Sequence, residues 1–133
     1  MPIVYQDFIR REDLRRNPDW FYLFGDNEMR QGMGGQAASM RGEPNAIGIR
    51  TKFAPNNSTA AFWHDEEYER CRALLVEDFA IVEAALKDGK TVVVPRDGLG
   101  TGLSELPTRA PRAFSFICAE LHILEVTYEG GGK

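Results

Sequence analysis

The chain has 133 residues, 43% of them hydrophobic and 27% charged. That length suits one domain with a real core and is short for two, and no apolar run is long enough to span a bilayer. The net charge of −4 argues against unspecific nucleic-acid binding, which depends on lysine and arginine neutralising phosphates.

In chain order, residues 7–17 read as a short helix, with Phe8, Ile9 and Leu14 apolar and Asn17-Pro18 as the stop. Residues 20–24 are an aromatic and aliphatic run between Pro18-Asp19 and Gly25-Asp26, which predicts a buried strand. A glycine loop and a short helix over 36–41 come next. Residues 46–52 read as a second strand, entered through Glu43-Pro44-Asn45. Residues 53–64 form a long irregular stretch of the kind that is often functional. The clearest helix spans 65–87, where Tyr68, Cys71, Leu75, Phe79, Val82 and Leu86 recur on one face. Asp65, Glu66 and Glu67 suit its first turn, and Asp88-Gly89 ends it. Residues 91–95 are a short buried strand, 108–121 a helix and 123–127 a closing strand. Residues 129–133 read as a frayed tail, leaving a single domain over 1–128.

Strands alternating with helices predict an α/β fold with a mostly parallel sheet covered on both faces, in three layers. The start of the chain lacks the basic and then apolar layout of a secretory signal, so a cytoplasmic protein is expected. Cys71, Cys118, His64 and His122 show no metal-ligand spacing, so no metal or cofactor is expected. Both cysteines fall on apolar helix faces and read as reduced core thiols. The arginines at 10, 11, 15 and 16 and the acidic stretch from 65 to 88 read as solvated helix faces.

Two glycine-rich loops succeed predicted buried strands. The first is Gly25-Asp26-Asn27 running into Gly32-Met33-Gly34-Gly35-Gln36, and the second is Gly98-Leu99-Gly100-Thr101-Gly102 running into Leu103-Ser104. Glycine lacks a Cβ, so such loops bring backbone N–H groups close to a ligand, and a helix behind the loop adds a positive dipole end. The first loop is not a P-loop, because no Gly-Lys-Ser/Thr follows, and it is not the dinucleotide fingerprint either. In parallel sheets ligands bind beyond the carboxyl ends of strands, where both loops and Lys52 are expected to converge. Asp26 and Asn27 suit either a ribose hydroxyl or an Asx turn. Lys52 suits either a solvated strand end or, when desolvated, a nucleophilic amine. Phe53, Phe62 and Trp63 suit either stacking on a base or anchoring the long loop.

The order of these pieces resembles a macrodomain, the ADP-ribose-binding α/β/α module, and is most similar to the branch containing the terminal ADP-ribose protein glycohydrolase. The segment from Asp26 to Ala37 resembles that family's acidic turn followed by Met-Gly-x-Gly-Ile-Ala. Residues 47–52 resemble its strand ending in Thr-Lys, the segment around Tyr68 its central helix, and residues 94–103 its Pro-Arg-Ile-Gly-x-Gly-Leu loop. The likeness covers roughly residues 20 to 121.

The resemblance implies binding of ADP-ribose or a related NAD-derived nucleotide and hydrolysis of an ADP-ribosyl bond. It maps the attacking lysine onto Lys52. The assisting aspartate position falls on Ser104, with Glu105 beside it, so Asp26, Asp97 or Glu105 would have to handle the proton. The backbone of 32–35 and 98–102 would hold the diphosphate and distal ribose, with an ADP-ribosylated protein or nucleic acid as the target. The family's opening strand, whose aspartate holds the adenine, has no counterpart in this reading, where the residues before Trp20 are mainly helix. Two other classes remain open. One is a non-catalytic binder or sponge of such nucleotides, and the other is a protein-interaction module with no nucleotide affinity.

Overall fold

The computed structural model describes residues 2–129. Among them are nine regular elements: β1 (Ile3–Gln6), α1 (Arg11–Arg16), β2 (Trp20–Asn27), α2 (Ala37–Met40), β3 (Ala46–Lys52), α3 (Tyr68–Lys87), β4 (Thr91–Pro95), α4 (Leu106–Arg109) and α5 (Pro111–Tyr128), with 3-10 turns at Thr59–Ala61 and Asp65–Glu67. The tail expected over 129–133 lies outside the described residues from 130 on.

The four strands form one parallel sheet in the order β1-β4-β2-β3. Alternation along the central strands supplies two cores. Leu23, Ile47, Ile49, Val92 and Val94 point to one face, where Cys71, Leu75, Phe79 and Val82 of α3 and Ala113, Ile117 and Leu124 of α5 cover them. Tyr22, Phe24 and Val93 point to the other face, where Leu14 of α1 and Ala37 and Met40 of α2 cover them. The result is a three-layer α/β/α fold. Among the described residues no helix is long and apolar enough to cross a membrane.

Three features differ from the sequence reading. First, the chain opens with a strand. β1 pairs in parallel with β4, and only Ile3 of its residues is fully buried, so an edge strand of four residues leaves no alternation to read. The helix expected over 7–17 contracts to Arg11–Arg16, because Phe8 adopts φ 51° and Arg10 is extended. Second, the expected strand over 123–127 is the end of α5. Leu121, Leu124 and Tyr128 continue the stripe of Ala113 and Ile117 against the core, while β-branched Ile123 and Val126 face outward. Tertiary packing of that stripe overrides local β propensity. Third, Cys118 is exposed, because the turn it occupies on α5 faces away from the stripe, whereas Cys71 is buried.

The long stretch after β3 is anchored rather than loose. The N–H of Phe53 donates to Ala61 O at 2.8 Å, and Lys52 and Phe62 form an antiparallel bridge. Trp63 is fully buried with its ring 5.9 Å from that of Phe53.

Candidate functional site

The sheet itself opens the site. β2 pairs with β4 only from Trp20↔Thr91 to Tyr22↔Val93, then runs on beside β3 to Asn27↔Lys52. Beyond Tyr22 and Val93 the two central strands part, and a crevice forms at their carboxyl ends, the usual ligand position of an open parallel sheet. Both glycine loops flank it. The cleft has two lobes. One of about 170 Å³ lies between Gly34, Gly35 and Gln36 on one side and Asp97 to Gly102 on the other. The second, about 130 Å³, is lined by Asp26, Asn27, Gly32, Arg41 and Lys52 among others. Gly25, Gly34, Leu103 and Ser104 border both. Together the lobes approach the lower end of small-molecule site volumes, about 300 Å³.

Backbone donors dominate the first lobe. The N–H groups of Gly34, Gly35 and residues 100–104 there, and those of Gly32 and Met33 in the second lobe, donate to no backbone acceptor among the described residues. Gly98 at φ 94° and Gly100 at φ 80° adopt left-handed conformations that turn the second loop, and such turns aim successive N–H groups into a shared concavity. A Cβ on Gly100 would lie 2.8 Å from Leu106 Cδ2, so the close approach also requires glycine. Gln36 ties the two loops together: its Oε1 accepts the Gly25 N–H at 3.0 Å and its Nε2 donates to Gly98 O at 3.4 Å.

Lys52 sits in the second lobe at the end of β3 and is only 6% exposed. Its ammonium donates to Asn56 O at 2.8 Å and lies 4.4 Å from the centre of the Phe62 ring. Arg109 covers the same ring at 3.7 Å. Burial holds the Lys52 ammonium below its ordinary value, while Glu105 pushes the other way and Arg109 adds to the lowering. A desolvated amine of depressed pKa is a better nucleophile than an exposed one.

Asp26 is equally buried but fully engaged. Oδ1 accepts from Arg41 Nη2 at 2.5 Å and from the Asn27 N–H at 2.8 Å, and Oδ2 accepts from Arg30 Nη1 at 3.0 Å. Arg30 also reaches Asp78 at 2.8 Å, and Asp78 pairs with Arg50, so the carboxylate belongs to an ion network under the sheet edge. Arg41 also donates to Gly32 O at 2.7 Å and Gln31 O at 3.2 Å, so this network holds the first loop in shape.

Residues 4–120 match the profile of a family of unknown function, DUF7831. The chain belongs to this family. No curated protein and no solved structure matches it.

The cleft gathers most of the residues singled out from sequence: Asp26, Asn27, Gly32, Gly34, Gly35, Gln36, Lys52, Asp97, Gly98, Gly100, Thr101, Gly102 and Ser104 all line it. Two do not. Leu99 buries its side chain in the core shared with α3 and α5. Glu105 starts α4 at φ 49°, is exposed, and accepts from Arg109 Nε at 3.1 Å. Asp97 lines the first lobe but is exposed, and its carbonyl accepts the Thr101 hydroxyl at 2.6 Å. Phe62 and Trp63 are core anchors, not exposed stacking surfaces. Sequence reasoning missed Arg41 and Leu103 as site residues. Leu103 directly succeeds the Gly-Thr-Gly turn and its Cδ1 would lie 2.9 Å from a Cβ on Gly34, so a large residue at the turn exit was the readable signal. Arg41 carries no such signal, because only the fold brings it to Asp26.

Proposed function

We propose that the cleft binds ADP-ribose or a closely related NAD-derived diphosphate nucleotide. The observation that carries this reading is the set of uncommitted backbone N–H groups in two glycine loops that line one crevice, beside the buried cation of Lys52. Hydrogen bonds to a charged oxygen contribute about 1.5–3 kcal/mol each, so several such donors suffice for a diphosphate. The resemblance to macrodomains supports the same class of ligand. Calorimetry with ADP-ribose, with AMP and NAD as comparators, tests it. Selective binding of ADP-ribose is expected, and no binding of any of the three would sink the reading.

Binding without turnover is the form that the geometry supports best. The carboxylates that could move a proton are engaged or remote: Asp26 is held by two arginines, Glu105 is bonded to Arg109, and Asp97 is exposed at the far lobe. One observation favours the second reading, hydrolysis of an ADP-ribosyl bond. Lys52 is a desolvated amine lining the cleft, fit to attack an anomeric carbon or to stabilise charge there. An ADP-ribosylated protein or nucleic acid would then be the substrate. Lys52→Ala separates the two. Turnover by the parent that disappears in the variant while binding persists supports the enzyme; a parent that binds and never turns over supports the binder.

A further inference from the structure

The outer face of the α3 and α5 layer carries an open groove of about 490 Å³, larger than either lobe of the cleft. Tyr68, Pro111, Arg112, Ser115, Phe116 and Ala119 line it. The two helices run parallel in one register: Arg112 packs on Tyr68, Arg72 on Phe116, and the Tyr128 hydroxyl donates to Glu83. Tyr68 and Arg72 are one turn apart on α3, and Arg112 and Phe116 are one turn apart on α5. The two cation–ring pairs therefore cross the groove in opposite senses, about 6 Å apart along it.

Both guanidiniums are held in place without being neutralised. That of Arg112 lies 4.0 Å from the centre of the Tyr68 ring, and that of Arg72 lies 5.7 Å from the Phe116 ring. Packing on a ring leaves the N–H edges of a guanidinium free to donate. Among the described residues neither group donates to an acceptor or lies within ion-pair distance of a carboxylate. Arg112 gives only its backbone N–H, to Asp65 Oδ1 at 3.1 Å. The neighbouring Arg70, by contrast, is paired with Glu28 at 2.7 Å. Beyond the two arginines the surface is uncharged. No exposed residue of α5 from Ser115 to Val126 is Asp, Glu, Lys or Arg, and exposed Ile123 and Val126 continue the line of Ser115 and Ala119. Val76 of α3, one turn beyond Arg72, adds a further exposed apolar side chain.

We infer that this groove is a docking site for an acidic peptide segment of a partner protein. Arg72 and Arg112 each take a carboxylate, and Ala119, Ile123 and Val126 take the apolar side chains beside it. A guanidinium matches a carboxylate with two parallel hydrogen bonds, and one already packed on a ring loses little freedom in making them. A nucleic acid is the poorer match: two cations are few for a polyanion, and the net charge of −4 repels one. A second copy is also the poorer match, because the acidic residues of 65–88 lie within the 3-10 turn and α3 and offer no free segment. The inference is independent of what the cleft binds.

A random peptide library displayed on phage and selected on the immobilised full chain supplies the probe. The enriched peptides are expected to carry Asp or Glu beside apolar residues. One of them, synthesised with a fluorescent label, is titrated against the parent and its variants by anisotropy. Arg72→Gln and Arg112→Gln each weaken binding on the order of tenfold, the worth of a charge-assisted hydrogen-bonded pair. The same loss follows when the peptide's Asp and Glu become Asn and Gln. Ala119→Glu, at an exposed position that the fold does not need, abolishes binding and carries the test by itself where an arginine variant melts early. A library that yields no binder, or binders without carboxylates, overturns the inference. So does a peptide whose affinity for Arg112→Gln and Ala119→Glu stays within about twofold of the parent. A single-stranded oligonucleotide that competes through the same arginines would make a nucleic acid the occupant and overturn it. Self-association of the parent in sedimentation, lost in Ala119→Glu, would assign the groove to a second copy and overturn it as well.

Discussion

Asp26→Asn separates a structural carboxylate from a reacting one. The side chain is 2% exposed and receives both Arg30 and Arg41. Asparagine keeps the shape and one acceptor oxygen, which can retain the Asn27 N–H. Its amide, however, turns two protons toward guanidinium donors and leaves them without the counter-charge. Removing one member of a buried ion pair costs about 3–5 kcal/mol. Arg30 is 40% exposed and Arg41 20%, so both can recover part of their hydration. Arg30 also keeps Asp78 and Gly48 O, and Arg41 keeps Gly32 O. These offsets lower the expected loss to about 2–3 kcal/mol. For a chain of this size that is a fall in Tm of roughly 6–15 °C. Urea denaturation followed by intrinsic fluorescence supplies the free energy. ADP-ribose affinity in the same variant reports on the first loop, which Arg41 holds through Gly32 and Gln31. A variant within about 0.5 kcal/mol of the parent refutes the network as a structural device.

The same network predicts that Gly48→Ala destabilises the fold by about 1–3 kcal/mol, because the added Cβ would press on the Asp26 carboxylate and stand 2.7 Å from Arg30 Nη1; an unchanged urea midpoint would show that the space is available. For Lys52, burial lowers the folded-state pKa below the unfolded value near 10.5. Below the folded value the amine is charged in both states and its desolvation cost is carried in full; between the two values the unfolded chain binds more protons, so stability rises with pH. Lys52→Met lacks that rise, and a stability difference between parent and variant that stays flat from neutral to alkaline pH would contradict the assignment. The cysteines differ in reactivity: burial pushes the Cys71 thiol up to about 12, whereas Cys118 is exposed. Native protein treated with a thiol reagent is expected to label at Cys118 alone, and at both after denaturation; rapid native labelling of Cys71 would contradict its burial.

The layers and the cleft were legible in the sequence because both rest on local patterns. Residues 20–24 and 91–95 are apolar on both faces, as central parallel strands must be, and the glycine loops directly succeed strands. The ends of the chain were less legible. β1 is a short edge strand recognisable only by the partner it finds in β4, and the last turns of α5 are β-branched but held helical by Leu121 and Leu124. Side-chain roles were harder still. Nothing local to Asp26 or Asn27 announces Arg41, which arrives from the end of α2, or Asp78, which arrives from α3. The Ser104–Thr51 contact joins residues 53 positions apart in the chain, and only the fold brings them together.

The charge of the chain and the character of the cleft are consistent on physical grounds. A protein with a net charge of −4 repels polyanions at long range, yet an anion in the crevice meets mainly uncommitted N–H dipoles and two buried or half-buried cations, Lys52 and Arg41. Backbone dipoles act over a few ångströms and survive screening, whereas surface charge acts over about a Debye length and is lost in salt. Under the proposed function, nucleic-acid backbones are expected to be repelled by this field and a small diphosphate to be admitted by its fit. On that reading the first lobe needs no excess of lysine or arginine, because backbone dipoles supply the attraction at short range, and the two cations of the second lobe add to it.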